Sequence, residues 1–209
     1  MCGIGAIFAY RPDAPGIDRD ALMRIREAMA ARGPDGAGSW LSDDGRCGLA
    51  HRRLAIIDLT EAGAQPMASA DGRYHITYNG EIYNYRALRD ELKNAGVAFT
   101  TDSDTEVLLA LYARDGADCL ARLHGIFAFA VWDAVERRLF VARDALGVKP
   151  LYYAETADGF LFASELKALV LCADVARDID PVALADHLGF LWTAGEATML
   201  KSVRKLRPG

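Results

Sequence analysis

The stretch GIFAFAVWD, residues 125–133, decides the fold. A β-strand sends successive side chains to opposite faces. Phe127, Phe129 and Val131 fall on one face, and Ile126, Ala128, Ala130 and Trp132 on the other. Both faces are apolar, so this strand belongs to a sheet covered on both sides, by helices or by a second sheet. Downstream, Arg138–Asp144, Leu151–Ala154 and Phe160–Ala163 also read as strands, the last two flanking an Asp158-Gly159 turn. Their connections are too short for crossover helices, which predicts an antiparallel meander. Upstream, Tyr74–Tyr78 is a strand and Asn79-Gly80 a turn dipeptide. Residues 48–58 form another strand, and Cys2–Tyr10 a buried, glycine-rich one that begins almost at the first residue.

Helices fill the intervals. Residues 18–31 are amphipathic, with Leu22, Ile25 and Met29 on one face, and the breakers Gly33-Pro34-Asp35-Gly36 follow. A second helix covers about 84–95. Ser103 and Glu106 form a capping-box pattern ahead of a helix at 104–114 that is apolar nearly all round and therefore buried. A short helix covers 165–171. Asp180 and Pro181 supply an N-cap and an N1 proline for a last helix with Leu184, Leu188 and Leu191 on one side. Residues 192–209 read as a linker toward the rest of a longer protein.

Length and composition narrow the function. The 209 residues suit one large domain, or one with an appendage. With 52% hydrophobic and 25% charged residues, the chain is globular and neither disordered nor fibrous. A net charge of −5 argues against a nucleic-acid partner. The last nine residues, KSVRKLRPG, carry four bases and no acid, which a solvated linker explains. No apolar run reaches the length of a membrane span, and no basic segment followed by an apolar stretch suggests secretion. Cys2, Cys47, Cys119 and Cys172 are far apart with no C-x-x-C, so neither a disulfide framework nor a zinc site is expected, and the cytoplasm is the simplest compartment. The four histidines have no metal-like spacing. No phosphate-cradling loop is present, so no nucleotide cofactor is expected here.

The candidate chemistry begins at Cys2. Methionine before a small residue is normally excised, which places a thiol and a free α-amine on one residue. An α-amine has a pKa of about 7.7–8.0, so it can serve as base for its own thiol. Taken alone, Cys2 reads better as a small buried residue. Gly3 and Gly5 would let a substrate or another backbone approach closely. Amide hydrolysis builds an oxyanion that needs donors, and Asn79 with the Gly80 N–H could supply them; a simple turn is the bland alternative. Arg53, in an otherwise apolar strand, would hold a carboxylate or form a structural salt bridge. Asp104 would pair a substrate ammonium or stabilise its helix N-terminus.

The order of these features is more specific than any one of them. MCGIGAIF at 1–8, ARGPDGAG at 31–38, HRRLAIIDL at 51–59, GAQPM at 63–67, NGEIYNY at 79–85, SDTEVLLALY at 103–112, GIFAFAVWD at 125–133, ARDALGVKPLYY at 142–153 and ASELKAL at 163–169 follow one another. Together they resemble the N-terminal glutaminase domain of glutamine-hydrolysing asparagine synthetases, a class II glutamine amidotransferase domain. The resemblance covers residues 2–172, and weakly 193–208. It implies an α+β fold, a four-layer αββα sandwich of N-terminal nucleophile hydrolase type. It implies a glutaminase domain over 2–176, with 177–209 a helix and linker leading to a synthetase domain. It implies that Cys2 is the nucleophile and that Asn79 and Gly80 form the oxyanion hole. Arg53 would bind the α-carboxylate of L-glutamine, Glu81 and Asp104 its α-amino group, and Ile56 and Ile57 would line the site. No cofactor is implied in this domain; ATP and Mg are implied for the synthetase domain, the expected partner, with a homodimer allowed. The acceptor stays open among aspartate, sugars and peptides. A hydrolase of another amide and a non-catalytic glutamine sensor are the rival readings.

Overall fold

The computed structural model describes residues 1–56 and 60–209. In chain order the elements are β1 (Gly3–Phe8), α1 (Arg19–Ala28), β2 (Gly36–Leu41), β3 (Cys47–Arg53), β4 (Met67–Ala68), β5 (Tyr74–Ile82), α2 (Tyr85–Asn94) and α3 (Asp104–Asp115). They continue with β6 (Gly125–Asp133), β7 (Arg138–Arg143), β8 (Tyr152–Glu155), β9 (Phe160–Ala163), α4 (Leu166–Leu169), α5 (Pro181–Phe190) and β10 (Val203–Lys205). Two antiparallel sheets result. One has the order β10-β8-β9-β1-β3-β2, the other β4-β5-β6-β7.

The double-faced strand sits where its pattern requires. Phe127, Phe129 and Val131 of β6 join Tyr78, Ile82, Leu92, Leu108 and Leu111 in a core between the smaller sheet and α2 and α3. Ala128, Ala130 and Trp132 turn the other way and meet Ile4, Ala6, Leu49 and Phe162 between the two sheets. On the far side, Ile25 and Met29 of α1 and Leu169 of α4 cover the larger sheet. The layers are therefore helix, sheet, sheet, helix. Phe129 is fully buried, and truncating such a side chain to alanine costs about 3–5 kcal/mol.

Local chemistry explains the helix starts. The Asp18 carboxylate accepts from Asp20 N, Ser103 Oγ from Thr105 N, and Asp180 from both Val182 N and Ala183 N. The expected reciprocal arm of the Ser103 box goes elsewhere. Glu106 accepts from the backbone and hydroxyls of Thr100 and Thr101 and so fastens the loop that precedes the cap.

Several expectations are corrected. The four late strands are two hairpins in different sheets, because residues 144–151 carry the chain from β7 across to β8. Asn79-Gly80 is not a turn: β5 runs on to Ile82, held by pairing with β6 down to Gly125. Cross-strand hydrogen bonds outweigh the turn preference of a dipeptide. Gly3 and Gly5 make room for a helix. A Cβ at Gly3 would lie 2.8 Å from Met29 Cβ, and one at Gly5 would lie 2.6 Å from Ile25 Cγ2. The stretch expected as a linker contains β10, which pairs antiparallel with β8. Val203 and Lys205 share its buried face; the Lys205 ammonium donates to the Thr193 carbonyl and lies over the Trp192 ring. Leu188 and Leu191 of the last helix are exposed, not packed. The strand expected at 48–58 ends at Arg53, beyond which residues 54–56 pair with no strand, and residues 57–58 lie outside the described residues.

Candidate active site

The two sheets open at one edge into a small cleft of about 80 Å³. Its walls include Cys2, Arg53, Ile56, Asn79, Gly80, Glu81 and Asp104. These are all the residues expected at the site except Ile57, which lies outside the described residues.

Cys2 precedes β1, whose pairing of Gly3 with Arg52 of β3 continues to set Cys2 beside Arg53. The start of the strand is tied down on both sides. Ile4 N donates to Ser164 Oγ at 3.0 Å, and Arg32 Nε donates to the Cys2 carbonyl at 2.9 Å. The Cys2 sulfur lies 3.4 Å from Leu54 N, which donates to it, and 3.6 Å from the Leu54 carbonyl. Cys2 is partly accessible, whereas the other three cysteines are buried. Burial pushes the thiol of Cys119 up to about 12 and that of Cys172 up to about 11, and raises Cys47 as well. Thiols raised in this way are poor nucleophiles, which leaves Cys2 as the candidate among the four.

The geometry of β5 supplies an open donor. Phe127 N donates to Asp144 Oδ2 at 3.2 Å, and the Phe127 carbonyl accepts from Asp144 N at 2.8 Å. Both backbone groups of Phe127 thus point away from β5. Its partner Gly80 is therefore in a pair without mutual hydrogen bonds, and the Gly80 N–H points away from β6. Tyr78 and Ile82 share that outward direction. Tyr78 N donates to Gln65 Oε1 at 2.6 Å and Ile82 N to Asp104 Oδ2 at 3.1 Å. Gly80, between them, has no such partner among the described residues. A side chain is excluded there, because a Cβ would lie 2.5 Å from the Ile126 carbonyl oxygen and 2.8 Å from Phe127 Cα.

Asn79 alternates with Gly80 and faces the gap between the sheets. Thr77, on the same face, donates to the Ala50 carbonyl of β3 at 3.1 Å. The Asn79 side chain is 1% exposed, and neither its Nδ2 nor its Oδ1 has a partner among the described residues. Buried amides normally bond a partner, so this one, lining a cleft, can bond a substrate.

The charged groups divide the cleft. Arg53 Nη1 donates to the Thr60 carbonyl at 2.7 Å. Asp104 is 4% exposed, and its Oδ2 accepts from the Tyr78 hydroxyl at 2.7 Å and from Ile82 N. Burial raises its carboxyl above the usual range, while those two bonds pull it back. Glu81 and Ile56 are exposed at the rim. His51 is a buried core residue. Burial lowers it to about 4, and its neutral ring bonds the Tyr78 carbonyl.

Five contributors were not foreseen: Arg32, Leu54, Gln65, Tyr78 and Lys149. Gln65 Nε2 also reaches Thr105 Oγ1 at 3.2 Å and so bridges β5 to α3. Gln65 and Lys149 stand in the GAQPM and ALGVKPL blocks, whose presence was noted but whose chemistry is legible only from their neighbours in space.

An αββα sandwich with a cysteine from the chain start in its cleft is of the N-terminal nucleophile hydrolase type. Among solved structures, the chain resembles the glutamine phosphoribosylpyrophosphate amidotransferase of Bacillus subtilis, with a TM-score of 0.67 and 23% identity over 87% of this chain and 46% of that one. That likeness shows the fold. In sequence, residues 1–209 match the glutamine amidotransferase domain model. The chain is 41% identical to asparagine synthetase [glutamine-hydrolyzing] 1 of Bacillus subtilis, over all of this chain and 33% of the relative. It is 43% identical to asparagine synthetase B [glutamine-hydrolyzing] of Escherichia coli, over 81% of this chain and 30% of the relative. The chain belongs to the glutamine amidotransferase domain family and spans about a third of the length of these relatives.

Proposed function

We propose that Cys2 hydrolyses the side-chain amide of L-glutamine and that the ammonia serves an ATP-dependent synthesis of asparagine from aspartate by residues beyond this chain. Removal of Met1 frees the Cys2 α-amine, which takes the thiol proton. The sulfur attacks Cδ of glutamine, and the carbonyl electron pair moves onto oxygen. Asn79 Nδ2 and the Gly80 N–H receive that oxyanion; each such donor contributes about 2.7–4 kcal/mol of transition-state stabilisation. The C–N bond breaks, and the leaving nitrogen takes the proton from the α-amine and departs as ammonia. Water then adds to the γ-glutamyl thioester, giving its proton to the amine. Collapse releases glutamate, and the sulfur regains its proton. Arg53 holds the α-carboxylate, Asp104 and Glu81 hold the α-ammonium, and the backbone at Ile56 lines the site.

The observation that carries this reading is the outward-facing Gly80 N–H beside the unpartnered Asn79 amide, in the cleft that holds the one accessible thiol. The names of the relatives support aspartate as the acceptor. The last helix supports a large neighbouring domain. Leu188, Phe190 and Leu191 are 74%, 80% and 81% exposed, an apolar surface of the kind that marks an interaction site. ATP and Mg would be held by that domain. Three further free thiols suit a reducing cytoplasm. The test is product analysis. Residues 1–209 should convert glutamine to glutamate and ammonia without ATP, the Cys2→Ala variant should not, and neither should form asparagine from aspartate, ATP and magnesium.

A further inference from the structure

Among the described residues of the cleft, Lys149 carries a charge that the reaction above does not use. Its residue is only 6% exposed, yet the ammonium makes no ion pair among the described residues. Its polar contact is the Met1 sulfur, 3.1 Å from Nζ. A thioether is a weak acceptor, and burying an ammonium without an anion is costly. Removal of Met1 takes even that contact away. The loop is built to hold Lys149 there regardless. Asp144 accepts from Val148 N at 2.9 Å and from Lys149 N at 3.0 Å, and Arg143 Nε donates to the Lys149 carbonyl at 2.6 Å. A rigid loop thus delivers an unpaired positive charge to the place where the chain starts.

The charges around it define what it can serve. Arg32, bonded to the Cys2 carbonyl, is a second cation close by; with burial it presses the Lys149 ammonium toward release of its proton. Cys2, Glu81 and Asp144 pull the other way. Arg53 and Asp104 face the same cleft. Lys149 reaches the side chain of Met1, at the nucleophile end.

We propose that Lys149 is a positioning residue whose charge holds the Cys2 sulfur as the thiolate, with the Leu54 N–H as its second support. The inference rests on the reading of Cys2 as the nucleophile. The proton that the sulfur gives up sits on the Cys2 α-amine, from which the leaving nitrogen takes it.

The experiment compares the Met1-free chain, confirmed by intact mass, with Lys149→Met and Lys149→Arg. It measures the pH dependence of Cys2 alkylation by iodoacetamide and the kcat and KM for glutamine. In Lys149→Met the apparent thiol pKa should rise by about one unit or more, as expected when a nearby opposite charge is lost. At neutral pH kcat should then fall about tenfold with KM nearly unchanged, and Lys149→Arg should retain most of the wild-type behaviour. If Lys149→Met does not fold, Lys149→Gln gives the same comparison. A variant alkylation profile that superimposes on wild type overturns the proposal. So does a raised KM with unchanged kcat, which would put Lys149 on the substrate carboxylate. If the wild-type chain releases no glutamate, the reading of Cys2 fails instead.

Discussion

Asp144 and Phe127 exchange hydrogen bonds: Phe127 N donates to the Asp144 carboxylate at 3.2 Å, and Asp144 N donates to the Phe127 carbonyl at 2.8 Å. This exchange turns the backbone of Phe127 away from β5 and leaves the Gly80 N–H directed outward. The same carboxylate accepts from Leu146, Val148 and Lys149. One side chain therefore shapes both the outward Gly80 N–H and the loop that carries Lys149.

Asp144→Ala should lower stability and turnover together. Each buried N–H left unsatisfied costs about 1–3 kcal/mol, so a loss of at least about 2 kcal/mol is expected by denaturant titration. Asp144→Asn keeps one acceptor oxygen and should retain part of both. Wild-type stability in Asp144→Ala would show that the carboxylate does not organise the loop.

The proposed oxyanion donors should affect turnover more than affinity. Asn79→Ala should reduce kcat about a hundred- to a thousandfold while KM changes little. Gly80→Ala should be worse, because its Cβ would meet the Ile126 carbonyl and the Phe127 backbone, neither of which is a flexible side-chain end. A raised KM with unchanged kcat in Asn79→Ala would remove that residue from the oxyanion hole.

The pH dependence of glutamine binding follows from Asp104. Burial raises its carboxyl, and the hydroxyl of Tyr78 favours the ionised form. Asp104 must be ionised to hold an ammonium. As pH falls through its raised pKa it takes up a proton, and KM should rise, starting above the ordinary carboxylate range. Tyr78→Phe removes a bond to the carboxylate, so the pKa should move further up and the rise in KM should begin at higher pH. Steady-state kinetics between pH 5 and pH 8 (approximate limits set by the usual carboxylate and histidine ranges) check this. A shift in the opposite direction would mean that the Tyr78 bond does not govern Asp104.

Much of this was legible in the sequence, for physical reasons. The two apolar faces of Phe127–Trp132 map directly onto the two cores that β6 separates, because strand alternation is strict. Ser103 and Asp180 cap the helices they were expected to cap, because capping is local. Cys2, Arg53, Asn79, Gly80 and Asp104 meet in one cleft, as the order of blocks implied. Other features depend on pairing at a distance. β2, with the sequence GAGSWL, is short and glycine-rich, and its partner β3 holds it at the sheet edge. The extension of β5 through Asn79-Gly80 is imposed by β6. β10 hides among basic residues, because the burial of Lys205 against Thr193 and Trp192 is visible only in three dimensions. Nothing in the sequence around Lys149 and Arg32 marks them, because only the fold brings them to the chain start.

The most direct test of the account is covalent. The protein is treated with an irreversible glutamine-mimicking electrophile and read by intact mass and peptide mapping. The account predicts a chain that lacks Met1 and carries one adduct, on Cys2, with Cys47, Cys119 and Cys172 unmodified. An adduct on any of those three, or full glutaminase activity in a chain that wholly retains Met1, would contradict it.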